Sequence, residues 1–373
     1  MTPRLQMITP VFPPAVGGIE SLSKGLAERW PGPVEVLTLE EPGWADWDAA
    51  ASYSVRRAGN VPRGGRRSMA RLTATVAART RSFRPDVVLS MHVRCGYAAV
   101  LARALSGATW LQYYHAKEIP TWAAATRLCA RRADHHIPVS HYTRSLLERV
   151  ARPAGPVSVI PPGINRPDPP GRPRRTRPTI LTVARIDDAY KGHDVLLDAL
   201  PMVRARVPDV VWVVVGRGDR LPWLREQVDR RGLTGCVELR GAIGDAERDD
   251  LLAGSHVFAL PSRTGADGRA GEGFGIVYAE AAAAGLPVVA ANTGGAVDAV
   301  RSGLTGLLVD PASPPDVAAA LLALLTDDDR RTRMAEAARD WSRRFDWATV
   351  AGSFLAVALP EGHDRQPLNR QVS

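Results

Sequence analysis

The sequence predicts an α/β protein made of two Rossmann-like, doubly wound parallel-sheet domains in series. Three observations carry that expectation. Short, nearly continuous apolar runs alternate with amphipathic helical runs from end to end, the pattern of parallel sheets covered on both faces. The alternation breaks once, where Pro161-Pro162-Gly163 leads into a stretch rich in Pro and Arg at 167–178, and then restarts. The chain also has 373 residues, more than the roughly 250–300 that one core normally organises.

In the first half, strands are expected at 5–11, 34–39, 86–91, 109–114, 136–139 and 157–160, and helices at 20–30, 69–83, 97–105 and 142–150. After the Pro/Arg linker, strands are expected at 179–184, 210–215, 237–239, 256–260, 287–290 and 306–309. The matching helices fall at 194–206, 221–231, 245–253, 274–284, 315–325 and 330–344. Right-handed crossovers between such strands build open doubly wound sheets. The domains then run 1–165 and 166–345, with a last helix at 346–359 and a polar tail at 360–373.

No apolar run approaches the roughly 20 residues of a spanning helix. Residues 1–14 lack a basic stretch followed by a long apolar one, so no secretory signal is expected. Cys95, Cys129 and Cys236 are widely spaced and odd in number, which suits a reducing cytoplasm better than a disulfide framework or a metal site. The net charge of +9 favours anionic partners. Most of the basic residues are Arg in a chain rich in Ala, Pro and Gly, a composition that biased base usage also produces, so the charge discriminates weakly.

Ligands of open parallel sheets bind beyond the carboxyl ends of the strands. The segment most suited to one is Gly271-Glu272-Gly273-Phe274-Gly275-Ile276-Val277-Tyr278-Ala279-Glu280, after the strand ending near Pro261. Its glycine-rich entry leaves backbone N–H groups of Gly273, Phe274, Gly275, Ile276 and Val277 open at a helix start, where phosphate binds through free N–H groups and the macrodipole. Glu280 shares a helix face with Val277 and Gly273 among small alanines, and a carboxylate there needs polar partners. Ribose hydroxyls would supply them, and Glu272 is placed to accept from sugar hydroxyls. An ordinary glycine-rich loop is the bland alternative; two glutamates eight positions apart around one helix start argue against it.

Arg185 ends the first strand of this domain, and Lys191 sits in the loop entering the next helix. Two cations at the carboxyl edge suit a diphosphate leaving group. Asp187 and Asp188 lie between them and are expected to face outward. Gly216 and Gly241 follow the next two strands and border the same edge, though a tight turn explains each equally well.

In the first half, Gly17-Gly18 follows the first strand and opens the first helix, so backbone can approach a ligand closely there. His115 follows the strand at 109–114, with Glu118 close behind; a sugar hydroxyl or the reacting centre is its candidate partner, and a structural role is equally common for such a histidine. Arg63, Arg66, Arg67, Arg71, Arg79, Arg81 and Arg84 form a basic run without an acidic residue, partly on a helix whose apolar side includes Met69, Leu72 and Val76. A solvated basic face is the commoner explanation. Peripheral contact of Arg66, Arg67, Arg71 and Arg79 with an anionic membrane is the functional one. Nucleic acid is not expected, since no aromatic stacking platform accompanies the charge.

The set Gly17-Gly18, Arg185, Lys191-Gly192, Glu272 and Glu280 resembles the retaining GT-B glycosyltransferases of family 4 type, which include phosphatidylinositol mannosyltransferases and many sucrose, polysaccharide and antibiotic glycosyltransferases. The likeness covers almost the whole chain and extends to Pro287-Val288-Val289 and to the segment from Gly303 to Val309. It implies two domains facing across a cleft and transfer of a hexosyl unit from a UDP- or GDP-sugar to a hydroxyl acceptor, with same-face attack. It further implies that Arg185 and Lys191 hold the diphosphate, Glu280 the ribose and Glu272 the transferred sugar. Gly18 would bring its N–H near the β-phosphate, and His115 would sit by the attack site. Such enzymes use neither metal nor cofactor, and no Asp-x-Asp motif stands at a strand end here. The last helix is implied to cross back to the first domain. The stretch from Thr264 to Ala270 departs from the family pattern. A nucleotide-sugar epimerase on the same scaffold and a non-catalytic membrane-surface protein are the alternative readings.

Overall fold

Buried Val, Ile, Leu and Ala runs, too apolar to face water on either side, pair into two parallel sheets in the computed structural model, which describes residues 2–59, 65–166, 174–265 and 267–360. The first sheet takes β1 (Leu5–Ile8), β2 (Val34–Leu39), β3 (Ser54–Ala58), β4 (Val87–Ser90), β5 (Thr109–Tyr114) and β6 (His135–Pro138), in the order β3-β2-β1-β4-β5-β6. Its helices are α1 (Gly18–Glu28), α2 (Trp44–Ala50), α3 (Arg66–Phe83), α4 (Gly96–Ser106), α5 (Glu118–Thr121), α6 (Ala123–Arg132) and α7 (His141–Val150).

The second sheet takes β7 (Thr179–Val183), β8 (Val211–Val215), β9 (Val237–Gly241), β10 (Val257–Leu260), β11 (Val288–Ala291) and β12 (Gly306–Val309). Its order, β12-β11-β10-β7-β8-β9, repeats the winding of the first. Its helices are α8 (His193–Arg204), α9 (Leu221–Arg230), α10 (Asp245–Gly254), α11 (Ile276–Ala283), α12 (Ala296–Ala299), α13 (Pro314–Leu325) and α14 (Asp328–Ser342). Each sheet therefore reverses its strand order once, between β1 and β4 and between β7 and β10, and such switch points are where doubly wound sheets open a crevice.

A final helix, α15 (Trp347–Ala358), leaves the second sheet and packs on the first. Phe354 sits 6.0 Å from Trp30 and 6.3 Å from Tyr113 between ring centroids, and the Trp347 ring fills the space that a side chain at Gly25 would need. Ile164 N–H donates to Phe345 O at 2.9 Å, and Arg166 pairs with Asp346 at 2.7 Å, fastening the chain where it crosses.

Several expectations need correction. The run at 157–160 lies beside β6 through Ser158 N to His136 O (3.0 Å) and Ile160 N to Pro138 O (3.1 Å), yet it forms only an isolated bridge. Pro156, Pro161 and Pro162 bracket it and carry no N–H to extend the ladder. The helix expected from Phe274 begins at Ile276, because Gly275 adopts φ 84°, a left-handed conformation a helix cannot contain. β3, α2, α5 and α6 have no counterpart in the pattern reading; β3 is a charged edge strand, Ser-Val-Arg-Arg-Ala. The basic run also changes meaning. Leu72 and Val76 are buried inside the protein, so α3 has no free apolar side for a membrane, and Arg79 is committed to the buried Glu35 at 2.6 Å. Arg66, Arg67 and Arg71 remain exposed. Arg63, the first part of the linker (167–173), Ala266 and the tail from 361 onward lie outside the described residues.

Candidate active site at the facing switch points

Lys191 and Glu272 meet. Lys191 lies in the turn after β7, Glu272 in the loop after β10, and adjacent strands at the switch point bring their side chains into an ion pair, 12% and 14% exposed. Burial alone would lower the Lys191 ammonium, but the Glu272 carboxylate and the Tyr190 ring beside it hold its pKa above the usual lysine value. Ser262, itself buried, lies 3.4 Å from the same Glu272 oxygen. Gly192 closes the Lys191 turn at φ 79°, its α-carbon pressed on the Pro261 carbonyl so closely that a side chain would not fit. Arg263 braces that turn, donating to Ala189 O at 2.6 Å and to both Asp194 oxygens at 2.8 Å.

Arg185 takes no part in this ion pair. It follows β7 with its side chain 67% exposed, its guanidinium 3.7 Å from Asp187. Asp187 is exposed and accepts from Asp219 N at 3.1 Å. Gly216 and Gly241 close the ends of β8 and β9 and join through Gly216 N to Gly241 O at 2.8 Å. Gly216 also lies against the Ala184 carbonyl, which leaves no room for a Cβ, whereas space around Gly241 is open.

On α11, Ile276 and Val277 are half-buried, while the Phe274 ring, only 4% exposed, packs edge-on to Phe345 at 5.0 Å. Phe274 is thus a core side chain, leaving only its backbone for a ligand. Glu280 has no hydrogen-bond donor among the described residues. Burial raises its pKa, Arg248 opposes that rise, and Asp249 and Asp245 reinforce it. A half-desolvated carboxylate without donors is a group with unmet bonding capacity.

The first sheet supplies the opposite wall. A Cβ built on Gly18 would lie 3.2 Å from Ile276 Cδ1, so the glycine-rich turn after β1 faces the start of α11. His115, after β5, is held from two sides. Its Nε2 lies 2.7 Å from the Met91 carbonyl, which only accepts, so Nε2 carries the proton. Its backbone N–H donates to Glu118 at 2.6 Å, and Ala116 N–H donates to the other carboxylate oxygen at 3.0 Å. Burial by itself raises the Glu118 pKa; His115, His92 and the two N–H donors outweigh it and hold the carboxyl below its usual range. His92 is pushed down to about 4, chiefly by burial, with Glu118 opposing. The His115 carbonyl also presses on Gly273 across the cleft, where no side chain would fit. Among the described residues, no three His, Cys, Asp or Glu side chains are grouped to hold a metal ion.

Two family models match the chain: Glycosyltransferase Family 4 over residues 16–166 and Glycosyl transferases group 1 over residues 168–341. The GDP-mannose-dependent α-(1-6)-phosphatidylinositol monomannoside mannosyltransferase of Mycobacterium tuberculosis is 34% identical over 93% of this chain and 96% of its own. The chain is a family 4 glycosyltransferase. A phosphatidyl-myo-inositol mannosyltransferase from the same organism is 40% identical, over 50% of this chain and 48% of its own. In fold, the enzyme resembles Anabaena HepE, solved with UDP and glucose, at a TM-score of 0.81 and 22% identity over 95% of this chain and 99% of that one. It also resembles sucrose-phosphate synthase from Thermosynechococcus elongatus, at a TM-score of 0.78 and 21% identity over 95% and 98%. Two Rossmann-like domains in the GT-B arrangement, acting on a nucleotide sugar, follow from this membership. Among the described residues no helix is long and apolar enough to cross a membrane.

Sequence reasoning missed Ser140, Asp298 and Arg57. Ser140 is the side-chain cap of α7, and a serine directly before a helical pattern was its visible signal. Arg57 lies 1% exposed on β3 and donates to Asp48 at 2.8 Å and to the Pro13 carbonyl at 2.5 Å, bracing the segment that leads to Gly17-Gly18.

Proposed function

We propose that the enzyme transfers a hexosyl unit, mannose from GDP-mannose in the first instance, to a hydroxyl of an acceptor with retention of anomeric configuration and without a metal ion. The observation that carries this reading is the Lys191–Glu272 pair at the switch point of the second sheet, with the donor-free Glu280 carboxylate on the helix that follows. Lys191 and the exposed Arg185 neutralise the diphosphate as the bond to the sugar breaks, the part a divalent cation plays in other enzymes. Glu280 accepts from the ribose hydroxyls. Glu272 accepts from the transferred sugar while Lys191 holds it in place. The N–H of Gly18 and those at the start of α11 face the phosphates.

Retention follows from attack on the same face as the departing diphosphate, whose oxygen takes the acceptor proton. Glu272 is neutralised by Lys191, which makes it a poor nucleophile for a covalent sugar intermediate. His115, its proton fixed on Nε2, borders the reacting centre. The kinship with the phosphatidylinositol monomannoside mannosyltransferase, over nearly the full length of both chains, supports GDP-mannose as donor and a mannosylated inositol lipid as acceptor.

Purified enzyme incubated with GDP-mannose, UDP-glucose and ADP-glucose, with and without phosphatidylinositol mannoside, tests the reading. Transfer of mannose as an α-linked product in the presence of EDTA is expected. Failure to bind or turn over any nucleotide sugar would sink it, and a mixture of sugar-nucleotide isomers formed without acceptor would instead favour an epimerase.

A further inference from the structure

The two walls of the cleft are joined by hydroxyl groups that no part of the mechanism above uses. Ser140 caps the N-terminus of α7, accepting from Thr143 N–H at 3.0 Å, and its own hydroxyl donates across the cleft to the Gly273 carbonyl at 2.5 Å. Thr143 Oγ1 donates to the His115 carbonyl at 2.8 Å, and lies 3.2 Å from the Gly273 carbonyl and 2.9 Å from Ser140 Oγ. Both hydroxyls are fully buried. They therefore tie the residue beside Glu272, on the second domain, to the backbone of His115, on the first. One helical turn binds a second anchor: His141 N–H and Nδ1 meet Asp298 Oδ1 at 3.1 and 2.5 Å, and Tyr142 N–H points at Oδ2 from 3.5 Å. Asp298 is only 11% exposed on its side of the joint. Farther along α7, a Cβ built on Gly268 would lie 2.5 Å from Leu146, so the loop before Glu272 also rests on this helix.

We propose that Ser140, Thr143 and Asp298 are positioning residues for sugar transfer: α7 grips the second domain so that the Glu272–Gly273 segment and His115 hold one register around the reacting carbon. The inference rests on the site assignment proposed above and adds a function for groups that touch neither nucleotide nor sugar. A buried hydroxyl hydrogen-bonded to a carbonyl across a joint fixes that joint to within a few tenths of an ångström, the tolerance that bond-making geometry demands. Most of the proposed nucleotide contacts (Arg185, Lys191, Glu280 and the N–H groups at the start of α11) lie on the second domain, so nucleotide binding changes little when the joint loosens, whereas turnover falls.

The test compares full-length wild type with Ser140→Ala/Thr143→Val, Thr143→Ser and Asp298→Ala. Three quantities are read: kcat and KM for the nucleotide sugar that wild type turns over, and calorimetric binding of GDP and UDP. At least a tenfold fall in kcat is expected for the double variant and a smaller fall for Asp298→Ala. Nucleotide affinity should stay within twofold in both, and Thr143→Ser, which keeps the hydroxyl, should stay within threefold of wild type in kcat. Wild-type kcat in both Asp298→Ala and the double variant overturns the proposal, and so does a matching loss of nucleotide affinity and turnover. Should the double variant fail to fold, Asp298→Ala and Thr143→Ser decide. If wild type itself turns over no nucleotide sugar, the assignment of the site fails instead.

Discussion

Lys191 and Glu272 come from loops 81 positions apart in sequence and form a largely buried ion pair where the strand order of the second sheet reverses. Each is more than a charge for the other. In the proposed function the pair places a cation for phosphate and a carboxylate for sugar hydroxyls side by side. Removing Lys191 leaves a partly buried carboxylate without its partner and, in the proposed function, the diphosphate without one of its cations. Lys191→Met is expected to lower kcat/KM by about 10- to 100-fold, since each charge-assisted contact contributes about 1.5–3 kcal/mol. Steady-state kinetics checks this. The pH dependence has a definite sign. Because the folded-state pKa of Lys191 lies above its unfolded value, its stabilising contribution is complete at neutral pH and is lost only as pH rises through that raised value. Melting temperatures of wild type and Lys191→Met should therefore converge in strong alkali.

Glu280 makes the opposite trade. Burial raises its carboxyl, so the fold favours the uncharged form; the stability it contributes is present below the ordinary glutamate pKa and is lost as pH rises through the folded one. At pH 7 the charged carboxylate works against folding and, in the proposed function, for ribose binding. Glu280→Gln is expected to melt higher than wild type at pH 7, with the difference vanishing below about pH 4. The same variant should bind GDP and UDP at least about tenfold more weakly. Thermal melts across pH, with calorimetric titration of each nucleotide, measure both halves.

Gly273 faces the His115 carbonyl with no space for a methyl group. The clash lies on the joint between the domains and not inside either core, so it is relieved by parting the walls of the cleft. Gly273→Ala is expected to melt near wild type yet lose at least about tenfold in kcat, because misplacing reacting groups by an ångström costs about a hundredfold. A large drop in melting temperature would place the glycine's importance in folding instead.

The fold was legible because its strands are buried on both faces and so read as apolar runs, and Arg185, Lys191, Glu272 and Glu280 could be singled out because each follows such a run. What linear order hides is adjacency. β7 and β10 are neighbours only because the sheet reverses between them, so the sequence could assign Lys191 and Glu272 to one donor site but could not show that they pair with each other. Arg79 looked like part of a free basic face, yet the acidic residue that claims it, Glu35, sat in plain view inside an apolar strand, where a buried carboxylate demands a cation. Phe274 was singled out for its backbone N–H, and nothing in the glycine-rich pattern shows that its ring fills the core beside Phe345. β3 escaped notice because Arg56 and Arg57 interrupt its apolar character, and the burial of Arg57 depends on Asp48, a partner on α2 that no strand or helix periodicity connects to it.

That Arg57–Asp48 pair offers the last prediction. Arg57 is 1% exposed and Asp48 13%, and the guanidinium reaches Leu39 O at 3.2 Å as well as Pro13 O. Replacing it with Met strands a buried carboxylate and two buried carbonyls, a loss of about 3–5 kcal/mol. Lysine keeps the charge but not the planar fork that serves Asp48 and Pro13 at once, so Arg57→Lys should recover little of that stability. The functional consequence reaches Gly17-Gly18 through the Pro13 segment: in whatever fraction of Arg57→Lys remains folded, the KM for the nucleotide sugar is expected to rise by about tenfold, while a charge-neutral double variant, Arg57→Met/Asp48→Leu, should regain stability without regaining KM. Denaturant unfolding combined with kinetics separates the two effects, and recovery of KM together with stability in the double variant would show that Arg57 holds up the fold without aiming the glycine turn.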